Sequence, residues 1–290
     1  MFGLENFKLN VISNKAMVFE LLINPKKAEG KPWELFFLGF AYSILGLIIG
    51  YIIFRSYVSL VMVVLAVIAS VPFMHSLISR EEQRDVVIED EKKVLKAHMK
   101  SIEMFAFLFL GFLVGYVVSY VLLPSEVAVK TFSTQINTIM AVKGAATGNF
   151  FSSMNMLSAI FFNNIKILLF CILFSFFYGA GAIFILTWNA SVMAAAIGSF
   201  ISNGLKHAHA LQVTASGFMR YLLHGLPEII AYFIGALAGG IIGIAIIRHE
   251  FRGEKFNRIM KDSLDLVLVA IALLLVAGLI EVFLTPLLFG

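Results

Sequence analysis

The sequence has little charge for a chain of its length. Only 14% of its 290 residues are Asp, Glu, Lys or Arg, whereas 60% are hydrophobic, and the mean hydropathy is +0.93. A soluble domain has roughly 25% charged and 45–50% apolar residues. The chain cannot cover itself with a polar surface, which excludes a soluble globular protein and indicates a membrane protein.

The sequence is also poor in cysteine. Cys171 is its only one and stands inside an apolar run, which excludes an intrachain disulfide and a cysteine-based metal cluster. The P-loop, HExxH, nucleophile-elbow and dinucleotide-binding motifs are absent as well. We therefore expect no cofactor, no metal site and no enzymatic activity. The net charge of +4 comes mostly from segments beside apolar runs, so we expect no nucleic-acid partner.

What the sequence does have is a series of long apolar runs. A helix needs about 20 such residues to cross a membrane. Six runs reach this length, and a seventh, at residues 190–201, is short. The predicted fold is all-α, a polytopic membrane protein of six to seven transmembrane helices with one short or discontinuous helix. The long runs lie at about residues 34–54, 57–79, 103–123, 162–187, 227–247 and 264–288.

Basic residues are concentrated in three segments. Residues 1–33 hold five of the 22 Lys and Arg, the loop at 80–102 holds six, and the loop before the last run holds five. Because Lys and Arg accumulate on the cytoplasmic side of membranes, we place all three segments in the cytoplasm. This predicts a multi-pass protein of the cell (plasma) membrane with a cytoplasmic N-terminus.

This orientation bears on the short run. The loop at 124–160 is then outside and the basic loop after residue 247 is inside, so an odd number of crossings separates them. The run at 190–201 would supply the third crossing; the alternative is that it re-enters the membrane. Seven crossings result. A short helix at this depth has to be shielded by protein, because unsatisfied backbone groups are costly in lipid.

The composition divides the chain into four segments. The long outer loop carries apolar residues at helical spacing, including Phe132, Ile136 and Met140. They indicate an amphipathic helix on the outer surface or a loop helix packed against the bundle. The segments are 1–33, cytoplasmic or interfacial; 34–123, with three spans and the charged loop at 80–102; 124–160, extracytoplasmic; and 161–290, the remaining spans.

A carboxylate stands at the head of one apolar run, in HGLPEIIAYFIGALAGGIIG, residues 224–243. Pro227 suits the first position of a helix, where a missing N–H is harmless. Glu228 would then lie in the first turn, where the helix dipole favours negative charge, with His224 in the preceding turn. This predicts a helix start near the outer surface. Glu228 is either a capping acid or, as is common for ionisable residues in membranes, functional.

A second group of polar residues opens the fourth run, in FFNNIKILLF. Asn163, Asn164 and Lys166 are predicted to lie at the depth of His224 and Glu228. An ion pair between Lys166 and Glu228 would explain how both charges are tolerated. The alternative is that Lys166 extends towards the headgroups and that the asparagines hold helix ends or bond across helices.

Glu281 and a set of glycines complete the candidate residues. Glu281 lies well inside the last run and needs a partner, a protonated state or a wet cavity; burial in a homo-oligomer interface would also account for it. Gly235, Gly239 and Gly243 form two overlapping GxxxG steps, which let helices approach closely. We interpret them as an internal packing seam, the alternative being a self-association interface.

These segments resemble the stage II sporulation protein M family of integral membrane proteins. The stretches FFNNIKILLF…FFYGAGAIFILTWNA and HGLPEIIAYFIGALAGGIIG carry the likeness over residues 160–247, and NPKKAEGKPWELFFLGF resembles its archaeal branch. Ala190 departs from the family, where glycine is common. The matching positions are Asn163, Asn164, Gly179, Gly181, Asn189, His224, Gly225, Pro227 and Glu228.

The resemblance implies a scaffold. In spore-forming bacteria the family member is a membrane scaffold for peptidoglycan-degrading partners during engulfment, and no catalytic residue is implied. Those partners do not carry over to an archaeal chain. We therefore expect a non-enzymatic integral membrane scaffold that recruits unidentified membrane proteins in the lipid bilayer, and a homodimer is compatible with the glycine faces. The alternative is a transporter or channel component with a polar cavity near Lys166, Glu228 and Glu281.

Overall fold

The computed structural model describes residues 30–87, 91–146, 153–178, 182–205, 210–247 and 253–289. Every regular element in these ranges is helical. The elements are α1 (Glu34–Ile53), α2 (Val58–Val87), α3 (Glu91–Leu122), α4 (Ser125–Thr131), α5 (Ser133–Ala146), α6 (Ser153–Tyr178), α7 (Ala182–Gly204), α8 (Ala210–Ile247), α9 (Glu254–Leu279), a π-helical turn (Ile280–Leu284) and α10 (Thr285–Phe289).

Seven helical spans are long and apolar enough to cross a membrane. They are α1, α2, α3, α6, α7, α8, and α9 continued through the π-helical turn into α10. This confirms the predicted fold class. The charged loop at 80–102 is largely a helical extension of α2 and α3, while residues 1–29 of the N-terminal segment lie outside the described part of the chain.

The fourth and fifth spans divide earlier than predicted. The apolar run at 162–187 is split between two helices, because α6 ends at Tyr178 and α7 begins at Ala182. The fifth span is therefore a helix of 23 residues, not only the short run at 190–201. Hydropathy cannot mark a turn between two apolar helices, and the intervening residues, which include Gly179 and Gly181, lie outside the described residues.

The helix start predicted at Pro227 is wrong. Pro227 lies inside α8, a continuous helix of 38 residues. A proline removes one backbone hydrogen bond, but membrane helices tolerate this where neighbouring groups or local adjustments satisfy the freed carbonyl. Glu228 is consequently in the middle of a helix and has no helix N-terminus of its own.

The short helices between the third and fourth spans pack against the bundle. The ring of Phe132, between α4 and α5, is fully buried and lies 5.2 Å from the ring of Tyr120 at the end of α3. On α5, Gln135 donates through Nε2 to the carbonyl of Ser59 (2.8 Å) and to the hydroxyl of Ser191 (3.2 Å). Of the two predicted alternatives for this loop, the packed one is correct. We refer to this end of the bundle as the α5 side.

Close contacts at glycines fix the relative directions of the spans. A methyl group added to Gly39 of α1 would collide with α3 at Leu108, and one added to Gly115, further along α3, would collide with Ser43, further along α1. The two helices therefore run in the same direction. This is what the first and third spans require, because one span of opposite direction separates them.

The same reasoning orients α7 and α8. Gly198 of α7 lies against Tyr120, which marks the α5 side, and Gly217, near the start of α8, lies against Phe200 of α7. Hence α7 ends and α8 begins on the α5 side, and α8 runs towards the opposite side.

The interior is built mainly from α3 and α8. Within an 18-residue apolar stretch of each span, 72% of the residues are buried in α8 and 61% in α3, against 28% in α1, 22% in α6 and 33% in α9. Helices α1, α6 and α9 therefore form the flanks of the bundle, where their apolar residues face outwards.

Candidate functional site

A hydrogen bond between two predicted residues lies at the centre of the site. Asn164 of α6 is 6% exposed, and its Nδ2 donates to Oε1 of Glu228 on α8 at 2.5 Å. The bond joins two helices that are otherwise held by apolar contacts. It gives the carboxyl group a polar partner inside the bundle, as a buried polar group requires.

The depth of this bond follows from an aromatic cluster. Phe233 of α8 packs on Phe105 and Phe109 of α3, at ring distances of 5.4 and 6.0 Å. These two residues are the seventh and eleventh of the 24-residue span Met99–Leu122. Glu228 precedes Phe233 by five residues, about 7.5 Å towards the α5 side. Glu228 therefore lies near the middle of the membrane, and its predicted position at the boundary is wrong.

The predicted Lys166–Glu228 ion pair is not formed. Asn164 and Lys166 are two residues apart, which separates them by about 200° around a helix. With Asn164 turned towards α8, Lys166 is exposed on the outer face of α6, beside the equally exposed Asn163. Among the residues that the structure describes, no carboxylate lies within ion-pair distance of Lys166.

Lys166 nevertheless lies as deep as the buried cluster. Leu168 contacts the position of Gly235, two residues after Phe233, and Lys166 is two residues nearer the α5 side than Leu168. It is the fourteenth of the 26 residues of α6. Either end of α6 is therefore about 18–20 Å away along the helix axis.

Glu281 lies in the π-helical turn and interacts electrostatically with Glu228. The turn precedes Pro286, which has no N–H to donate, and the Thr285 hydroxyl donates to the carbonyl of Ile280 at 3.1 Å. Such turns occur within α-helices and often at functional sites. The two carboxyl groups thus influence each other's charge, and the sequence pattern does not predict the π-helical turn.

Two further residues lie on the same face of α8 as Glu228. His224 precedes it and Tyr232 follows it by four residues, so all three share one face. Tyr232 is 2% exposed and interacts electrostatically with Glu228 and Glu281. The Nδ1 atom of His224 is buried without a hydrogen-bond partner in the described structure. Tyr232 is not among the residues predicted from the sequence, although its spacing of four from Glu228 was a usable signal.

The three glycines of the GxxxG steps lie between α6 and α8 of the same chain. Methyl groups added to Gly239 and Gly243 would collide with the carbonyl oxygens of Ile172 and Phe176, and one added to Gly235 would meet a side chain of α6. They let the two backbones approach closely. This seam brings Asn164 within reach of Glu228.

A groove runs along the outside of this seam. It has a volume of about 460 Å³, and almost all of its wall is apolar. Lys166 lies at its edge; Leu169, Phe170, Leu173 and Phe176 of α6 and Gly239 and Ile242 of α8 line the rest. The groove is therefore an apolar surface within the depth of the membrane, and Lys166 is the one cation among its lining residues.

The site has hydrogen-bonding groups but few reactive ones. Its thiol, Cys171, is fully buried beside Tyr232. Within the described ranges, no three His, Cys, Asp or Glu side chains are grouped so as to hold a metal ion. The arrangement can hold the Glu228 carboxyl group through the Asn164 amide and present a cation to a neighbour in the membrane.

The fold and this site define a multi-pass helical membrane protein with a polar cluster at mid-membrane. The chain belongs to the SpoIIM family: the family model described as stage II sporulation protein M matches residues 104–286, more than half of the 290. The match extends beyond residues 160–247, where the resemblance was noted. No curated protein and no solved structure matches the chain.

Proposed function

We propose that this protein is a non-enzymatic scaffold of the plasma membrane that binds other membrane proteins laterally, within the bilayer. Its N-terminus is cytoplasmic and the α5 side faces outwards. Membership of the SpoIIM family supports this role. The observation that carries it is the exposed polar pair Asn163 and Lys166 on the outer face of α6, at mid-membrane depth.

A lysine in this position needs a partner. Placing Lys at the centre of a membrane helix costs about 2.5–3.5 kcal/mol on insertion scales, and such residues normally face the bundle interior or pair with another group. Lys166 faces outwards, and both ends of α6 lie too far away for its side chain to reach the headgroups. A polar group supplied by another membrane protein would satisfy it. The exposed face of α6 is therefore the surface that we assign to partner binding.

Site-specific photocrosslinking tests this assignment. A photoreactive amino acid would replace Leu169 or Phe170 on α6, which are 59% and 53% exposed, and in a matched control Leu268 on α9, which is 56% exposed. We expect the two α6 positions to capture one defined membrane protein in native membranes, identified by mass spectrometry, and Leu268 to capture lipid. Capture of lipid at all three positions would contradict the scaffold.

A transporter or channel component is the second candidate function. The observation that favours it is the interior cluster of Asn164, Glu228 and Glu281, since ionisable residues inside membranes often mark ion pathways. This function predicts proton or cation flux into liposomes that is lost in Glu228→Gln and Glu281→Gln. A scaffold predicts no flux in the wild type and normal partner capture in both variants.

A further inference from the structure

We propose that the groove beside Lys166 binds a transmembrane helix of the partner protein that carries an Asp or Glu near its midpoint. The proposal rests on the scaffold function and names the chemistry of its partner. It requires the carboxylate to meet Lys166 while the rest of the helix lies along the apolar wall.

The shape of the groove suits a helix. It extends from Lys166 along successive turns of α6, through Leu169 and Leu173 to Phe176, with Gly239 of α8 also in its wall. These positions follow the three-to-four residue spacing of one helix face. The wall itself offers apolar contacts and no competing polar group.

The charge at the edge of the groove specifies an acidic partner. An ion pair is the arrangement in which a charged side chain is tolerated at this depth. The exposed amide of Asn163 stands next to Lys166 and can donate a further hydrogen bond to a carboxylate. Lys166 therefore specifies an anion, to which the Asn163 amide can add a hydrogen bond.

Two other occupants fit the observations less well. A second copy of this chain would have to supply the anion, but Glu228, the acid that the structure describes at this depth, is hydrogen-bonded to Asn164 inside the bundle. A lipid phosphate lies at the membrane surface, about 15 Å from the centre of the hydrocarbon core. A partner helix that carries its own acid reaches Lys166 without breaking the Asn164–Glu228 hydrogen bond and without moving a lipid phosphate into the hydrocarbon core.

Binding of synthetic membrane helices tests the proposal. The full-length chain, fused to a fluorescent protein, would be reconstituted in phosphatidylcholine vesicles with dye-labelled peptides of about 20 leucine and alanine residues. Two peptides differ only in a central Glu or Gln. We expect the Glu peptide to bind at least about tenfold more tightly by energy transfer, the range of close charge pairs at interfaces.

Variants assign this difference to the lysine. Lys166→Gln should abolish it and Lys166→Arg should keep it, while Lys130→Gln, which removes an exposed charge from α4, should leave it unchanged. Equal binding of the two peptides to the wild-type protein, a comparison that needs no variant, overturns the proposal. So does a preference that survives in Lys166→Gln.

The remaining outcomes separate the occupants. Loss of Glu-peptide binding on adding phosphatidylglycerol would make the groove a lipid site, and self-crosslinking through Leu169 would make it an interface between copies; either result overturns the proposal. If photocrosslinking captures a partner whose membrane helices lack a central acid, the scaffold stands and the acidic-helix proposal fails. If the peptides discriminate but no partner is captured, the scaffold fails and the recognition chemistry stands.

Discussion

At the scale of single residues, the depth of a polar group and the face it occupies determine its role. Asn164 and Lys166 are neighbours in sequence and lie at similar depth, yet one serves the interior and the other the exterior. Asn164 donates a hydrogen bond to Glu228, whereas the side chain of Lys166 is exposed and faces away from the bundle. Sequence identifies both as unusual, but a two-residue offset on a helix decides which of them meets the acid.

The Asn164–Glu228 bond should be measurable as a coupling energy. We expect Asn164→Leu and Glu228→Leu each to lower the free energy of unfolding in mild detergent by about 1–2 kcal/mol, because each leaves a buried polar partner unsatisfied. The double variant should lose less than the two single losses combined, since it leaves neither group unpaired.

The chain contains its own reporter for this experiment. Cys171 is the only cysteine and is fully buried, so a thiol-reactive dye fluoresces only as the bundle unfolds. Melting curves of the four proteins give the coupling. Strictly additive losses would mean that the bond contributes nothing to stability.

At the scale of elements, the glycine seam between α6 and α8 should tolerate no added side chain where it faces backbone. We expect Gly239→Ala to destabilise by about 2 kcal/mol, because the methyl group would overlap the carbonyl oxygen of Ile172 and force the helices apart. The dye assay at Cys171 would measure this as a lower melting temperature.

A matched glycine on the same helix serves as the control. A methyl group at Gly225 meets only the terminal methyl of Met193, which can move aside. Gly225→Ala should therefore stay within about 1 kcal/mol of wild type, since the higher helix propensity of alanine offsets a small adjustment. Equal destabilisation at both positions would show that contact with backbone does not set the effect.

Element boundaries were the least predictable part of the fold. The sequence around Pro227 is compatible both with the start of a membrane helix and with a position inside one. Tertiary contacts decide which of the two forms, since they determine whether the missing hydrogen bond is tolerated. The division of the run at 162–187 was hidden because both helices are apolar. The seven spans were predictable, because the charge distribution requires an odd number of crossings between the loop at 124–160 and the basic loop after residue 247.

The residues of the site were easier to predict than the contacts between them. Glu228, Asn164 and Glu281 stand out as polar residues in apolar runs. Tyr232 does not, because tyrosine is common in membrane helices near their ends. Gln135, which hydrogen-bonds from α5 to Ser59 of α2 and Ser191 of α7, was not predicted because the sequence left open whether its helix packs against the bundle.

At the scale of the whole molecule, seven spans place α5, the end of α7 and the start of α8 on one side, and the start of α3, the end of α8 and the start of α9 on the other. We expect single cysteines at Asn137 and Leu205 to react with a membrane-impermeant thiol reagent in intact cells. Cysteines at Lys100 and Glu254 should react only after permeabilisation. All four positions are exposed, and the buried Cys171 provides the unlabelled background.

This labelling pattern tests orientation and crossing number together. Reversed labelling of all four positions would mean that the protein has the opposite orientation in the membrane, which contradicts the proposed cytoplasmic N-terminus. Opposite labelling of Asn137 and Leu205 would contradict the number of spans between them.

The charged start of the last span has a consequence for the membrane surface. This span has 33 residues, against 20 for α1, and its first ten, residues 256–265, include Arg258, Lys261, Asp262 and Asp265. Because charged side chains are costly in hydrocarbon, about 15 Å of this helix, at 1.5 Å per residue, projects beyond the bilayer on the side opposite α5. The apolar remainder, about 35 Å long, is close to the hydrocarbon thickness of about 30 Å, so the projecting turns give the protein a rigid polar helix end beyond the headgroups on that side.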